Sequence, residues 1–351
     1  MNNIQKRLTP TMSNTSPYLL SIAIPTYNRA DFLKINLDHL IKEMRCVAPD
    51  LVEIIVSDNG SSDHTPQVVE AAIQDGLQAR YIRNPQDIGS DANIAQCFNE
   101  AKGKYVQIMG DDDLYLEGKL ADLLNILQAN DYGVVCMKSY GYEKDYVQEF
   151  PGGGGEVIDY NDAGSFLYKI GALISFISAC IINKEVQAST DANQFCGTNL
   201  VQVNLVIQAI ISKPRNAFVA RYMLACKRNN SGGYDFSEVF VERIFRILDS
   251  FRPKGLTEDA IKAFGKKMLI SYYPFNLLRQ RLSRAGDLKT SYRRFHDRFG
   301  SSPLFYIWVA PILKLPRPLA ILWAWVTVFL GRVLTGDLRR GIHFAINRLK
   351  G

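Results

Sequence analysis

The stretch YLLSIAIPTYNRADFL, residues 18–33, shows the pattern from which the fold can be predicted. Its first half is an apolar run typical of a buried strand, and residues 30–44 continue with apolar side chains at helical spacing. Further strand patterns follow at residues 52–58, 79–84 and 105–109, with helix patterns at 64–74 and 90–101 between them. This alternation predicts an α/β fold with a mostly parallel sheet and helices on both faces, before a region of mixed β structure at 133–183.

A polar loop follows each of these four strand patterns. The loops are TYNRAD (26–31), DNGSSD (58–63), NPQDIGSDAN (84–93) and GDDD (110–113). Taken singly, DNGSSD also fits a turn with a helix cap, and DDD also fits a solvated acidic turn. Because ligands of such sheets bind outside the carboxyl ends of the strands, the four loops together favour a pocket. Three adjacent carboxylates in that pocket would be relieved by a cation.

The composition indicates a globular chain of two parts. The chain has 351 residues, 47% of them hydrophobic, which is enough for a sizeable core. We divide it into a flexible tail (1–16), an α/β domain (17–235) and a basic, amphipathic helical region (236–351). The tail is polar and lacks the apolar segment of a secretory signal. Six cysteines occur singly, without zinc-site spacing, and we expect buried, reduced thiols in a cytosolic protein.

The charge is distributed unevenly along the chain. Residues 252–351 contain 19 Lys and Arg but 5 Asp and Glu, whereas the rest contains 22 basic and 30 acidic residues. This asymmetry favours an anionic partner for the C-terminal third, either nucleic acid or anionic lipid. The aromatic residues there cluster with aliphatic ones instead of alternating with Lys and Arg, which argues against nucleic acid.

The C-terminal third also has the pattern of helices that lie in a membrane surface. All three tryptophans fall within residues 303–330, and basic residues flank the longest apolar run, 318–331. That run is shorter than the roughly 18–20 residues needed to cross a bilayer. The alternative is a buried helix that completes the core or forms a homo-oligomer.

Three stretches together resemble the family 2 glycosyltransferases, which have the GT-A (Rossmann-like) fold. They are SIAIPTYNRADFL, VEIIVSDNGSSDHT and NPQDIGSDANIAQCFNEAKGKYVQIMGDDD, and the resemblance is strong over residues 18–130 and weaker over 131–235. It implies transfer of a sugar from a nucleotide-diphosphate sugar to an acceptor. Within the family, the chain looks most like bacterial surface-polysaccharide enzymes of the abequosyltransferase-like group. These transfer 3,6-dideoxyhexoses such as abequose from CDP-sugars to a lipid-linked O-antigen unit.

The resemblance assigns roles to individual residues. The nucleotide pocket would be formed by Pro25, Thr26, Tyr27, Arg29, Asp58, Gly89, Asn93 and Asp111. By the same resemblance, Asp111, Asp112 and Asp113 would correspond to the DXD motif. Asp111 and Asp112 would face the ribose and the donor sugar, and Asp112 would be one of the catalytic residues. Asp113, together with Asp111, would hold Mn²⁺ or Mg²⁺. Such a cation stabilises the charge that develops on the leaving nucleoside diphosphate.

Two further assignments stay open between alternatives. Lys227 and Arg228 follow a strand pattern, and they either close over the diphosphate or are ordinary surface cations. Inverting family members carry a carboxylate as general base for the acceptor hydroxyl, but the corresponding stretch, 191–205, has Thr198 and Asn199 at the expected place. Asp191 and Asn199 are therefore the candidates from this stretch, beside a residue elsewhere or a mechanism without a conventional base.

Two other function classes, a nucleotidyltransferase and a non-catalytic carbohydrate-binding protein, fit the sequence less well. A nucleotidyltransferase acting on sugar phosphates would favour a Gly-rich loop after the first strand, and residues 25–32 contain no glycine. A non-catalytic carbohydrate-binding protein would have no need of the intact acidic run. The expected partners are a nucleotide-sugar donor, a lipid-linked saccharide acceptor and an anionic membrane surface, with no nucleic acid and with oligomerisation open. The expected location is peripheral, on the cytoplasmic face of the inner membrane.

Overall fold

The computed structural model describes residues 16–228 and 234–335. The predicted flexible tail, apart from Ser16, lies outside the described residues. The same holds for the last basic residues of the C-terminal region, beyond residue 335.

Within these two described ranges, nine strands form a single mixed sheet. They are β1 Tyr18–Thr26, β2 Val52–Asp58, β3 Ala79–Arg83, β4 Gly103–Ile108, β5 Asp113–Tyr115, β6 Val134–Tyr142, β7 Val157–Tyr160, β8 Cys180–Asn183 and β9 Asn216–Lys227. Their order is β3-β2-β1-β4-β8-β6-β9-β5, with β7 also paired to β9. The first four are mutually parallel, and β8 runs antiparallel to both β4 and β6. The predicted parallel sheet is thus confirmed in the first half, and the mixed pairing begins at β8.

Thirteen α-helices surround the sheet within the described ranges. They are α1 Ala30–Met44, α2 Thr65–Gln74, α3 Ser90–Glu100, α4 Lys119–Ala129, α5 Ala163–Ile170, α6 Val201–Ser212, α7 Ile244–Ser250, α8 Glu258–Lys267, α9 Tyr273–Ser283, α10 Leu288–Phe299, α11 Pro303–Trp308, α12 Ala310–Lys314 and α13 Arg317–Thr335. Apolar residues of α1, α2 and α4 form one core, against one sheet face. The other core contains residues of α3, α5 and α6.

The helices that follow residue 236 share this second core. Phe245, Phe264 and Phe295 belong to the same buried cluster as Phe166 of α5. Gly164 of α5 makes the contact with α8 close, since a Cβ there would lie 3.3 Å from the Ala260 Cα. The C-terminal helical region therefore packs directly on the helices of the sheet domain.

Helix α13 has small residues on its inner face and large apolar residues on its outer face. Its buried residues are Ala320, Ala324, Thr327, Val328 and Gly331. A Cβ on Gly331 would come 2.3 Å from the carbonyl oxygen of Ile270, so glycine permits the close approach. Among the described helices, α13 alone is long and apolar enough to cross a membrane, because it extends the predicted apolar run at both ends.

The cysteines form no disulfide in the structure. Cys97, Cys136 and Cys180 are buried, but Cys46 and Cys196 are exposed. The expectation that all six would be buried was therefore wrong for these two, which lie in turns outside the sheet and the helices.

Candidate functional site

The ends of the parallel strands meet at one edge of the sheet. Thr26, the last residue of β1, lies in register with Asp58, the last residue of β2. At the end of β4, the Met109 N–H donates to the Ala23 carbonyl of β1 over 2.8 Å. The four polar loops therefore start from the same edge, as the strand order predicts.

A single arginine joins the first of these loops to the acidic run. The Nε of Arg29 lies 2.8 Å from Asp111 Oδ1, and its Nη2 lies 2.8 Å from Asp112 Oδ2. Asp111 also accepts a hydrogen bond from the Thr26 hydroxyl over 2.8 Å. Three residues assigned to the nucleotide pocket, Thr26, Arg29 and Asp111, are thus brought together with Asp112.

Asp113 is almost completely buried, on the other side of the acidic run. Its carboxylate accepts a hydrogen bond from the Ser178 hydroxyl, whose oxygen in turn accepts the Gly110 N–H over 2.8 Å. The Asn36 amide donates to the Asp113 carbonyl over 2.7 Å. These bonds fix the turn between β4 and β5 from both α1 and the segment before β8.

Burial shifts the ionisation of two of the carboxyls. Burial, together with the smaller effect of the Asp112 charge, raises the pKa of Asp113 to about 8. Burial likewise raises the pKa of Asp111 to about 6, although Arg29 and Thr26 act in the opposite direction. The site thus holds carboxyls whose charged forms lack sufficient stabilisation in the protein alone, and a bound cation would supply it.

Gly110 leaves the space that these carboxylates occupy. A Cβ at this position would lie 2.9 Å from Asp113 Oδ2 and 3.1 Å from Asp112 Oδ1. The absence of a side chain at Gly110 therefore lets the acidic run fold back over the end of β4.

The loop after β2 is held by its own carboxylates. Asp58 is fully buried and accepts hydrogen bonds from the Ser61 N–H over 2.8 Å and the Tyr81 hydroxyl over 2.6 Å. Asp63 accepts the Thr65 N–H at the start of α2 and the Ala30 N–H at the start of α1, each over 3.0 Å. The Asp58 carboxylate, which the resemblance assigns to the nucleotide pocket, is thus occupied by hydrogen bonds from Tyr81 and Ser61 in this conformation.

The start of α3 contributes a backbone position and an anchor. Gly89 precedes the helix with φ +87°, and its N–H donates to Asp87. Asn93 is buried and exchanges hydrogen bonds with both the hydroxyl and the carbonyl of Ser57. Gly89 therefore lies at the surface of the site, whereas Asn93 ties α3 to β2 beneath it.

The remaining residues of the first loop lie at the rim. Tyr27 is 42% exposed, and Pro25 is half-buried. The Asn28 side chain accepts the Ser62 N–H over 2.8 Å, which connects this loop to the loop after β2. Tyr27 is thus available to a ligand that enters between the two loops.

Lys227 is the last residue of β9, and Arg228 follows it, beside the acidic run. Cys226, the preceding residue, pairs with Asp113 across the β5–β9 ladder. Lys227 donates to the Glu143 carbonyl over 2.6 Å, and Arg228 lies 3.2 Å from Glu149. Both cations therefore lie near the site, held by the segment after β6.

The two candidates for the base stretch lie at opposite ends of α3. Asp191 caps the short helical turn at 192–195 and accepts a hydrogen bond from Asn99, near the C-terminal end of α3, over 2.7 Å. The Asn199 N–H instead donates to Asp91, at the start of α3, over 2.9 Å. Since the acidic run lies at the edge where α3 begins, the structure brings Asn199 toward it but not Asp191.

Several residues of the site were missed by sequence reasoning. Ser178, Tyr81 and Asp91 hold Asp113, Asp58 and the 197–199 turn, respectively. Tyr142, at the end of β6, lies near enough to Asp112 and Asp113 for their charges to raise its pKa, although burial is the larger cause. Pairing β2 with β3 by their ends places Arg83 opposite Asp58, with Tyr81 two residues earlier on the same strand, but nothing local marks Ser178.

Among the described residues, no group of three or more Asp, Glu, His or Cys side chains is arranged to enclose a metal ion. The acidic run still offers hard carboxylate oxygens with raised pKa values. Mg²⁺ sites in nucleotide enzymes use one or two carboxylates and take their other ligands from substrate phosphates and water. The residues present therefore fit a cation that arrives with a diphosphate, but not a cage built of protein alone.

Comparison with known families and curated proteins shows consistent similarity. Residues 21–186 match the family model described as Glycosyl transferase family 2. The chain is 25% identical to abequosyltransferase RfbV of Salmonella typhimurium over 60% of this chain and 67% of that protein. It is 34% identical to the Campylobacter jejuni enzyme GalNAc(5)-diNAcBac-PP-undecaprenol beta-1,3-glucosyltransferase, over 30% and 33%. Glycosyltransferase GlyG of Streptococcus pneumoniae is 26% identical over 36% and 40%, so the alignments span about a third to two thirds of these relatives.

Solved structures show the same fold. S. aureus TarS 1–349, in complex with UDP-GlcNAc, superimposes with a TM-score of 0.61 at 17% identity, over 92% of both chains. Mannosyltransferase PcManGT of Pyrobaculum calidifontis, in complex with GDP-Man and Mn²⁺, superimposes with a TM-score of 0.52 at 15% identity, over 98% of this chain and 91% of that one. The fold of this chain, over more than nine tenths of its length, is thus shared with these two structures.

Proposed function

We propose, from the premise that this chain is a family 2 glycosyltransferase, that it moves a sugar from a nucleotide-diphosphate sugar to a lipid-linked saccharide during the synthesis of a bacterial surface polysaccharide. The observation that carries the proposal is the cluster of Thr26, Arg29, Asp111, Asp112 and Asp113 at the carboxyl edge of the sheet. All the relatives named above are transferases of sugars, which leaves the nucleotidyltransferase and carbohydrate-binding alternatives without support.

The cluster suits the chemistry of sugar transfer. Asp113 and Asp111 are proposed to hold Mn²⁺ or Mg²⁺, and when bound this cation would act as a Lewis acid on the diphosphate. Arg29 keeps Asp111 and Asp112 in fixed orientations through two hydrogen bonds. Asp112 is proposed to contact the donor sugar, and Tyr27 and Gly89 to border the nucleotide.

Lys227 and Arg228 are proposed to contact the diphosphate from the opposite side. Their position after Cys226, which pairs with Asp113, places two cations at this edge. If the reaction inverts, we propose that Asp91, and not Asp191, is the carboxylate that accepts the proton of the attacking hydroxyl. Asp91 lies at the start of α3 and binds the 197–199 turn, whereas Asp191 lies near the other end of that helix.

For the donor, we propose a CDP-linked 3,6-dideoxyhexose such as CDP-abequose. The match to abequosyltransferase RfbV, over 60% of this chain, supports this choice. For the acceptor, the Campylobacter jejuni relative is named as acting on an undecaprenol-diphosphate saccharide, which supports a lipid carrier.

We also propose a peripheral position on the cytoplasmic face of the inner membrane. The support is the outer face of α13, which exposes Leu319, Leu322, Trp325, Val326, Phe329, Leu330, Val333 and Leu334. An enzyme held there by apolar side chains and flanking cations would meet a lipid-linked acceptor at the surface in which it is anchored.

Calorimetric titration with UDP, CDP, GDP and dTDP, each with and without Mn²⁺, tests the proposal. We expect CDP to bind tightly only in the presence of Mn²⁺, and the Asp113→Asn variant to lose that dependence. Binding of a different nucleotide would overturn the dideoxyhexose donor but keep the transferase site. Binding of none of the four, in the presence of a lipid-linked acceptor as well, would overturn the assignment of the cluster as a donor site.

A further inference from the structure

A small cavity lies where α9 ends and α10 and α13 begin, away from the acidic run. Its volume is about 180 Å³, and its polar lining consists of Gln280, Arg281, Arg284 and Arg317. Three guanidinium groups thus surround a space that could hold a phosphate group.

Two of these guanidiniums are held in place by main-chain carbonyls. Arg281 donates to the carbonyls of Ile312, Leu313 and Leu315, at the end of α12, over 2.7–3.1 Å. Arg317 donates to the carbonyls of Arg281 and Leu282, at the end of α9, over 3.0 and 3.1 Å. In both side chains these bonds use Nε and Nη2, so among the described residues Nη1 has no partner.

The positive charge of the cavity is not balanced by carboxylates. Among the described residues, Arg281, Arg284 and Arg317 form no ion pair, and the Arg284 side chain makes no hydrogen bond, although its backbone N–H donates to the Gln280 carbonyl. Asp287, the nearest acid in sequence, turns its carboxylate to the start of α10, where it accepts bonds from Lys289 and Thr290. Arg294, in contrast, contacts the three acids Asp235, Glu238 and Glu242.

A second polar group in the lining also lacks a partner. The Oε1 atom of Gln280 is buried and accepts no hydrogen bond from the described residues. A buried acceptor without a donor costs about 1–3 kcal/mol. A ligand with both a phosphate group and a hydroxyl group would satisfy Gln280 as well as the arginines.

The cavity opens beside an apolar surface. Leu282, whose carbonyl binds Arg317, is 47% exposed, and Leu319 and Leu322 follow on the first turns of α13 at 54% and 63%. Tyr306 and Ile307 extend this surface, since the Trp323 indole donates to the Ile307 carbonyl over 2.8 Å. The chain beyond residue 335 adds Arg339, Arg340, Arg348 and Lys350 in sequence.

We propose that this arginine cavity binds the phosphate headgroup of an anionic phospholipid whose acyl chains lie against the outer face of α13. The proposal rests on the membrane placement given under Proposed function, and it adds a defined headgroup site to it. We choose lipid as the ligand because three guanidiniums without a carboxylate partner lie next to a row of exposed apolar side chains. Glycerol-bearing headgroups such as that of phosphatidylglycerol would also supply a hydroxyl donor for Gln280.

Vesicle co-sedimentation of the full chain tests this site. The probes are vesicles of phosphatidylcholine alone and of phosphatidylcholine mixed with phosphatidylglycerol. The test variant is Arg284→Gln and the matched control is Arg279→Gln, which removes the same charge from an exposed position of α9 outside the cavity. We expect Arg284→Gln to weaken partition into the mixed vesicles about thirtyfold, through a charge-assisted hydrogen bond, and the control no more than about fivefold.

Equal losses in the two variants would overturn the headgroup site while leaving membrane attachment intact. Wild-type protein that binds neither vesicle would overturn the membrane placement itself, and nucleotide titration would show separately whether the transferase site stands. Arg284-dependent binding of free glycerol phosphate, without any effect of Arg284→Gln on vesicles, would assign the cavity to a soluble ester and overturn the lipid. A lipid-free dimer that Leu322→Gln converts to monomer would instead assign the outer face to a second copy.

Discussion

Arg29 and Asp111, which lie 82 residues apart in the chain, are joined by a 2.8 Å ion pair between Nε and Oδ1. The pair connects the loop after the first strand to the acidic run after the fourth. Since the same guanidinium also binds Asp112, one side chain partly neutralises two of the three carboxylates. The orientation of the acidic run therefore depends on a residue of another loop.

Replacing Arg29 with alanine tests this dependence. The variant leaves the largely buried Asp111 without its cation, so we expect the free energy of unfolding to fall by about 1–3 kcal/mol. Turnover should fall at least about tenfold, since Asp112 loses its fixed orientation. Chemical denaturation and a donor-turnover assay measure the two effects. Lys34→Ala, which removes the exposed pair to Asp38, is the control and should leave stability close to that of wild type.

Asp113 should make the stability of the metal-free protein fall as the pH rises. The folded protein keeps this proton up to a pKa of about 8, whereas the unfolded chain releases it near pH 4. Between these values the unfolded state is favoured by deprotonation, at up to about 1.4 kcal/mol per pH unit from this group. Asp113→Asn should lack this pH dependence. Its melting temperature should therefore be higher than that of wild type at pH 8 and equal to it at pH 4.

Mn²⁺ provides the second half of that experiment. Together with CDP, it should raise the melting temperature of wild type at pH 8 far more than that of Asp113→Asn, because the cation stabilises the ionised carboxylate. Identical pH profiles and identical responses to Mn²⁺ in the two proteins would contradict both the buried carboxyl and its role as a ligand.

Gly110→Ala should damage the site while leaving the fold intact. The added methyl would come 2.9 Å from the Asp113 carboxylate, which Ser178 holds in place and which cannot simply move away. We expect Mn²⁺-dependent nucleotide binding to weaken at least about tenfold. Gly154→Ala, in open space, is the control and should bind like wild type. Normal binding by both variants would show that the acidic run tolerates displacement.

The two carboxylates at the ends of α3 should differ in kinetics. Asp191→Ala removes a cap from a short exposed turn and should lower stability only slightly, with turnover within about twofold of wild type. Asp91→Asn removes the charge beside Gly197 and Asn199 and should reduce turnover far more. Steady-state kinetics with saturating donor separates the two. A large loss of turnover in Asp191→Ala with Asp91→Asn unaffected would restore Asp191 as the base.

Substitutions on the two faces of α13 should have different effects on stability: Gly331→Ala changes the buried face, and Leu322→Gln changes the exposed face. A methyl group on Gly331 would meet the Ile270 carbonyl at 2.3 Å, so the helix must shift, at a cost of about 1–3 kcal/mol. Leu322→Gln changes only an exposed position and should leave the free energy of unfolding within about 0.5 kcal/mol of wild type. Thermal denaturation in the absence of lipid measures both. Equal destabilisation would mean that Leu322 is covered in solution.

The strand order and the polar edge could be predicted because both are local patterns. Each loop of the site directly follows its strand, so the periodicity that identifies the strand also locates the loop. The loops that contain Thr26, Arg29, Asp111 and Asp112 were located in this way. The roles of these residues were assigned from the family resemblance, and the structure brings them within hydrogen-bond distance.

The support beneath the site could not be read from the same patterns. Ser178 reaches Asp113 only because β8 inserts antiparallel beside β4, and strand insertion leaves no local mark in the sequence. Asp191 was a candidate because it is the acid nearest in sequence to Thr198 and Asn199. In the structure, however, the segment 192–200 runs along the whole length of α3. The Asp191 carboxylate therefore lies near the far end of the helix, beside Asn99.

The length of α13 was underestimated for a different reason. Arg317 and Arg332 interrupt the apolar composition, but helix geometry is continuous through them. Arg317 donates hydrogen bonds to the carbonyls at the end of α9, so this charged residue is the first residue of α13.

Helix α13 buries small residues and exposes large apolar ones, and this arrangement also matters while the ribosome synthesises the protein. All nine strands precede α13 in the chain, so they leave the exit tunnel before its large apolar side chains do. A nascent chain whose sheet is already assembled offers few partners for aggregation when this surface emerges. The position of α13 in the gene therefore delays its exposure until a folded domain is present to bury its small-residue side.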